Sequence, residues 1–187
     1  MILDHSTKRN LEIIFFIYDV GREGSLISIL DKTQTAMGGR LLKKWISAPL
    51  RDLDLIKKRR DSVEELLKNK KIRKELTENL KEIGDLERLI SRICTLRATQ
   101  REVVAVKSSL QKIPETKEFL EQLKVYTLKN ISEQLDPLEN ISEKIATAII
   151  DSPPASVNEG GIIRNGFSPE LDELRDISLH GKEWIAI

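Results

Sequence analysis

The chain has 187 residues, 40% of them hydrophobic and 33% charged, enough for one domain or one large module and charge-rich in the manner of helical proteins with ion-paired surfaces. Its 31 basic and 30 acidic side chains leave a net charge of +1, which neither identifies nor excludes a nucleic-acid partner, since a local patch can hide in a balanced total. The single cysteine, Cys94, excludes an internal disulfide framework. No apolar run approaches the roughly 20 residues of a membrane span, and the polar opening MILDHSTKRN is no secretory signal. A soluble, cytoplasmic protein is expected.

In chain order, the first predicted element lies within LEIIFFIYDV, residues 11–20. Five consecutive apolar residues at 13–17, β-branched and aromatic, predict a short buried strand, with a short helix as the alternative, and a loop marked by Gly21 and Gly24 follows. From residue 25 to residue 150 the apolar positions follow a helical period. Thr35 is placed to cap a helix running to Ala48 and stopped by Pro49. Its buried side is expected to be Leu41, Leu42, Trp45 and Ile46, with Arg40, Lys43 and Lys44 in solvent. Gly38 and Gly39 cost about 1 kcal/mol each inside a helix relative to alanine, which predicts close approach of another backbone.

Asp54 is placed to cap the next helix, with Ile56, Val63, Leu66 and Leu67 on one side. Ile72, Leu76, Leu80 and Ile83 follow; Gly84 breaks the pattern and Asp85 restarts it, with Leu86, Leu89, Ile90 and Ile93 as a stripe. Thr99-Gln100-Arg101-Glu102 is a capping box, ahead of Val103, Val106, Leu110 and Ile113. Pro114 closes that helix and opens another carrying Phe119, Leu120 and Leu123. Asp136-Pro137 combines a capping side chain with a proline at the first helical position, predicting Leu138, Ile141, Ile145 and Ile149 as a buried face.

The composition then changes. DSPPASVNEGGIIRNGFSPE, residues 151–170, reads as short β-like pieces at 155–157 and 161–163, with turns at 158–160 and at Asn165-Gly166. Ser168-Pro169 starts a last helix. That helix ends on Trp184, Ile185, Ala186 and Ile187 without glycine, basic cluster or polar tail, so a rod cut from a longer polypeptide is expected. The fold expected is mainly α: a bundle of long amphipathic helices with a short N-terminal strand and a small β-turn region near 155–166. It forms one module over 1–187, made of an entry at 1–24, a helical part at 25–150, the Pro/Gly-rich segment at 151–167 and the last helix at 168–187.

No constellation for catalysis emerges. MGGRLLKKW lacks the two glycines five positions apart and the following Lys-Ser/Thr of a phosphate loop, so residues 25–50 are better explained by packing. KKRR (57–60) spreads around a helix, and with KNKKIRK (68–74) it is better explained as solvated surface than as a phosphate-contacting patch. The aromatic content of 4% argues against a stacking platform for single strands. His5 and His180 stand at opposite ends of the sequence and, with one cysteine, make no zinc set. Cys94, beside the apolar stripe, is expected to be a packed small hydrophobe. The paired acids in DLERL (85–89) and ELDELR (170–175) are expected to form exposed ion pairs with their arginines. No catalytic, cofactor-binding or metal-binding residue is assigned, and DNA-contacting residues are unassigned.

Four stretches nevertheless resemble one family in order and spacing across nearly the whole chain. TKRNLEI with GSLISILDKTQTAMGGRLLKKWISAPL, then IGDLERLISRI, then AIIDSPPASVNEGGIIRNGFSPELDELR, then GKEWIA, resemble the first sequence piece of the core domain of the MutS DNA mismatch repair family, bacterial type. The resemblance implies a largely helical module whose lever helices join an ATPase domain to a clamp on the DNA. It implies a parent that is a homodimer encircling mismatched double-stranded DNA, using ATP and Mg bound outside this region and signalling to a MutL-type partner. The resembling stretches do not include the family's mismatch-reading, Walker or clamp segments, so the piece itself is expected to perform no catalysis. A helical protein–protein adaptor and a weak basic module on the DNA backbone are the competing readings.

Overall fold

The computed structural model describes residues 4–14 and 24–185, with side chains in the last helix described to residue 178. The strand expected at 13–17 lies largely outside the described residues; Ile13 itself is buried. The rest is helical: α1 (His5–Asn10), α2 (Leu26–Leu30), α3 (Ala36–Ser47), α4 (Leu53–Lys68), α5 (Lys70–Lys81), α6 (Leu86–Cys94), α7 (Gln100–Leu110), α8 (Ile113–Glu121), α9 (Tyr126–Gln134), α10 (Glu139–Ala148) and α11 (Pro169–Ile185), with a 3₁₀ turn at Val157–Glu159.

Local capping chemistry explains most starts. Thr35 accepts from the Gly38 amide at 3.0 Å, and Asp85 accepts from the Arg88 amide at 3.3 Å. Thr99 and Glu102 form the reciprocal box, with the Thr99 amide donating to Glu102 Oε2 at 2.9 Å. Two starts differ from expectation. Asp52, not Asp54, caps α4, accepting from the amides of Asp54 and Leu55 at 2.9 and 3.1 Å; its extended backbone lies one step before the helix. Asp136 accepts from the Leu138 amide at 2.9 Å, closing a turn on its own neighbour. Helix α10 therefore begins at Glu139, after Leu138 in the left-handed region at φ 50°. Pro114 sits inside the first turn of α8. Helix α9 was not expected: Val125 precedes it and offers no capping side chain.

Two apolar clusters organise the helices. Leu89 of α6 and Val106 and Leu110 of α7 form the first, flanked by Leu86, Ile93, Ala105 and Ile145. Leu120, Leu123 and Leu128 form the second, where α8 and α9 meet Leu66 of α4 and Ile72 and Leu76 of α5. Full burial of one such side chain contributes about 1.5–3 kcal/mol. Polar contacts edge the second cluster and join it to the first. The buried Asn79 of α5 donates to Glu115 Oε2 and accepts from Thr116 Oγ1, both at 2.6 Å. The Gly84 amide donates to Ser109 Oγ at 3.0 Å, and a Cβ on Gly84 would lie 3.3 Å from that oxygen, a tight approach that a glycine makes without displacing Ser109.

Several expected burials are corrected. Leu41 and Trp45 of α3 are exposed, as are Leu138 and Ile141. The crowding at Gly38 and Gly39 comes from the side chains of Thr33, Thr35 and Asp31, which fold back over the helix start, rather than from another backbone. Cys94 is exposed because it lies one helical turn beyond the exposed Ile90, on the outer side of α6. The β-like pieces do not pair with each other: residues 157–159 form the 3₁₀ turn, and Ile163 bridges antiparallel to Ile149. Among the described residues, no helix is long and apolar enough to cross a membrane.

Helix α4 carries two apolar faces. Leu66 points into the second cluster, while Leu53, Ile56, Val63 and Leu67, spaced by three, seven and four, line an adjacent exposed stripe. Leu123→Ala, at a residue 1% exposed, is expected to cost about 2–5 kcal/mol in denaturant unfolding, whereas Ile56→Ala on the stripe stays within about 0.5 kcal/mol. The stripe also predicts self-association of the chain. Sedimentation should show it, weakened by Val63→Lys; monomeric behaviour over a wide concentration range would contradict it.

Candidate functional site at the base of the last helix

The residues that the sequence brought forward do not converge. Arg40 is not free in solvent: it crosses to the start of α6, donating to both oxygens of Asp85 at 2.6 and 3.0 Å and to Glu87 at 2.8 Å. Those hydrogen bonds hold the Asp85 carboxyl below its ordinary range and raise the guanidinium further. Residues 25–50 thus act as a brace between α3 and α6. Within the basic clusters, Arg59 stacks 3.6 Å over the Trp45 ring. Arg60 pairs with Asp61, Lys68 with Glu64 and Lys71 with Glu75. The side chains of His5 and His180 lie outside the described ones. Among the described residues no three His, Cys, Asp or Glu side chains are grouped to hold a metal.

What the structure does bring together is a polar joint where α7, α10 and α11 meet the Pro/Gly-rich segment. Segment 151–155 lies antiparallel along α7. Lys107 Nζ donates to Asp151 Oδ1 at 2.6 Å; Gln100 Nε2 donates to the carbonyls of Pro154 and Ala155 at 2.7 and 3.2 Å, and Arg101 Nε to that of Pro153 at 3.0 Å. The geometry is commensurate. From residue 100 to residue 107 a helix rises about 10 Å, which an extended chain covers in three to four residues at about 3.3 Å each.

The same carboxylate is shared. Arg164 Nη2 donates to Asp151 Oδ2 at 2.7 Å, while its Nε donates to the carbonyls of Ala146 and Ile149 at 2.7 and 3.0 Å, at the C-terminal end of α10. A cation there satisfies carbonyls that the helix leaves open and complements its dipole. The backbone closes a small clasp: the Ile150 amide donates to the Ile162 carbonyl at 3.0 Å and the Arg164 amide to that of Ala148 at 2.9 Å. Helix α11 grips the clasp from the other side. Arg175 donates to the Ile163 carbonyl at 2.9 Å and to Asn165 Oδ1 at 2.8 Å, and Asp172 accepts from the Gly166 amide at 2.6 Å. Gly166, at φ 83°, makes that turn without a Cβ penalty.

Burial is unequal within the joint. Lys107 is 6% exposed, whereas the Asp151 side chain is 69% exposed. The charge that could not stand alone is therefore the lysine. Hydrogen bonds from Lys107 and Arg164 hold the Asp151 carboxyl down to about 2. Sequence reading missed this joint. Its one local signal was a lysine directly after Val106, beside the predicted apolar stripe of α7.

Fold and joint together define a mainly helical module whose last helix is tied to the clasp by hydrogen bonds of Asp172 and Arg175. Comparison with known sequences makes this specific: the family described as MutS domain III matches residues 6–183, and the chain belongs to it. It is similar to the DNA mismatch repair protein MutS of Halothermothrix orenii (46% identical over 186 residues, 100% of this chain and 21% of that protein). Other relatives are those of Salinibacter ruber (44% over 184 residues, 98% and 20%) and Listeria monocytogenes serotype 4a (45% over 186 residues, 100% and 22%). The chain spans about a fifth of the length of these relatives.

Because the folded Asp151 pKa lies near 2, below an ordinary 3.8, its stabilisation is complete above the ordinary value and is lost as pH falls through about 2. The stability gap between the native chain and Asp151→Asn is therefore expected to be constant from neutral pH down to about 5 and to close on further acidification. Paired urea titrations measure it; a gap independent of pH would contradict the assignment.

Proposed function

We propose that this domain III piece transmits conformational change within a longer MutS protein, coupling a nucleotide-hydrolysing part to a DNA-clamping part while performing no reaction of its own. The observation that supports this is α11: 17 residues, about 25 Å long, attached through its first two turns to a braced body. On its outer side, Leu174 and Ile177 are 63% and 53% exposed. A stiff helix held at one end moves as a unit, and a displacement at its base is delivered at its tip.

The relatives are named for DNA mismatch repair, and on that reading the longer protein binds mismatched double-stranded DNA as a homodimer in the bacterial cytoplasm. ATP and Mg are bound outside residues 1–187, and a MutL-type partner receives the signal. Leu174→Pro in the full-length protein tests the reading, because proline breaks a helix interior at a cost of about 3 kcal/mol without entering either apolar cluster. ATP binding is expected to persist while nucleotide-driven clamp closure, followed by fluorescence transfer between labels on the two parts, is lost. Closure that still follows nucleotide state in the folded variant would overturn the reading.

A further inference from the structure

Among the described side chains of α11, apolar burial contributes little to its direction. Leu171 is half-buried, Leu174 and Ile177 face solvent, and Phe167, just before the helix, is also exposed. An unbroken run of polar contacts connects the helix to the body. From Lys107 on α7 it passes to Asp151, from Asp151 to Arg164, and from Arg164 through the 163–165 backbone to Arg175 on α11. Asp151 is the one carboxylate in that run to which both the α7 cation and the clasp cation donate, one on each oxygen. Arg164 in turn caps α10, so the three helices are referred to one anionic point.

We propose that Asp151 is the positioning residue of this joint: acting through Lys107 and Arg164, it sets the angle at which α11 leaves the α7–α10 body. Two short ionic hydrogen bonds on one carboxylate fix its orientation more tightly than either would alone. With the carboxylate neutralised, Arg164 keeps its carbonyls on α10 and Arg175 keeps the clasp, but the clasp is no longer tied to α7 through Lys107. The body stays folded on its apolar clusters while α11 samples a wider range of directions. The joint takes its use from the proposed transmission role, but its geometry can be measured without nucleotide or DNA.

The test uses the full 187-residue chain with Cys94→Ser and spin labels introduced by Ser108→Cys on α7 and Ser178→Cys on α11, both exposed positions. Pulsed dipolar spectroscopy gives the distance distribution between the labels. The native joint is expected to give one narrow population, and Asp151→Asn to broaden it roughly twofold at unchanged helix content. Asp151→Glu, which keeps the charge, should restore much of the narrow component. Arg164→Lys keeps a cation near Asp151 but loses the guanidinium's simultaneous reach to the α10 carbonyls, and should broaden the distribution even if the asparagine variant folds poorly. An unchanged distribution in a folded Asp151→Asn or Arg164→Lys chain overturns the proposal. Broadening in the Asp151→Asn chain alongside intact clamp coupling in the Leu174→Pro protein would instead overturn the transmission role and leave the positioning role of Asp151 standing.

Discussion

Helix α7 is the element on which the rest of the structure depends. Its inner residues Val106 and Leu110 build the first apolar cluster with α6 and α10. Ser109 receives the corner at Gly84, and Lys107 holds the segment that leads to α11. A buried lysine in that position is a constraint, because an ammonium withdrawn from water must find an anion or be destabilising. The chain route that returns to α7 after α10 delivers one, Asp151. The path of residues 151–164 follows from that requirement as much as from hydrophobic burial.

The two clusters differ in what edges them. The second, around Leu123, is closed by α4, α5, α8 and α9, with the buried Asn79 bridging α5 to Glu115 and Thr116 of α8. The first is edged by hydrogen bonds and ion pairs, including the Arg92–Glu102 contact at 2.7 Å and the joint itself. Charged hydrogen bonds add directional geometry to packing. At the end of the molecule from which α11 departs, orientation is thus specified by packing and paired charges together.

Legibility of the sequence followed the range of the interaction. Thr35, Asp85, the Thr99–Glu102 box and Ser168-Pro169 were readable because capping partners lie three residues apart. The register of Asp52 against Asp54 and the role of Asp136 were not, because two acids near one helix start compete for the same amides and propensity does not choose between them. Helix α9 had no capping residue to announce it. The MutS domain III membership was readable because several blocks kept their order. The joint was invisible: Lys107 and Asp151 are 44 positions apart, and Gln100 and Pro154 are 54. No periodicity relates such residues; only the closed fold does.

The arrangement of α8 and α9 has a consequence for how the chain collapses. These two helices lie wholly between α7 and α10 in sequence, pair with each other, and bring residues 113 and 134 into one hairpin. The entropy lost on closing a loop grows with its length. The α8–α9 hairpin therefore shortens the excursion from α7 to α10, so that contacts remote along the polypeptide, such as Lys107 with Asp151, close a smaller effective loop.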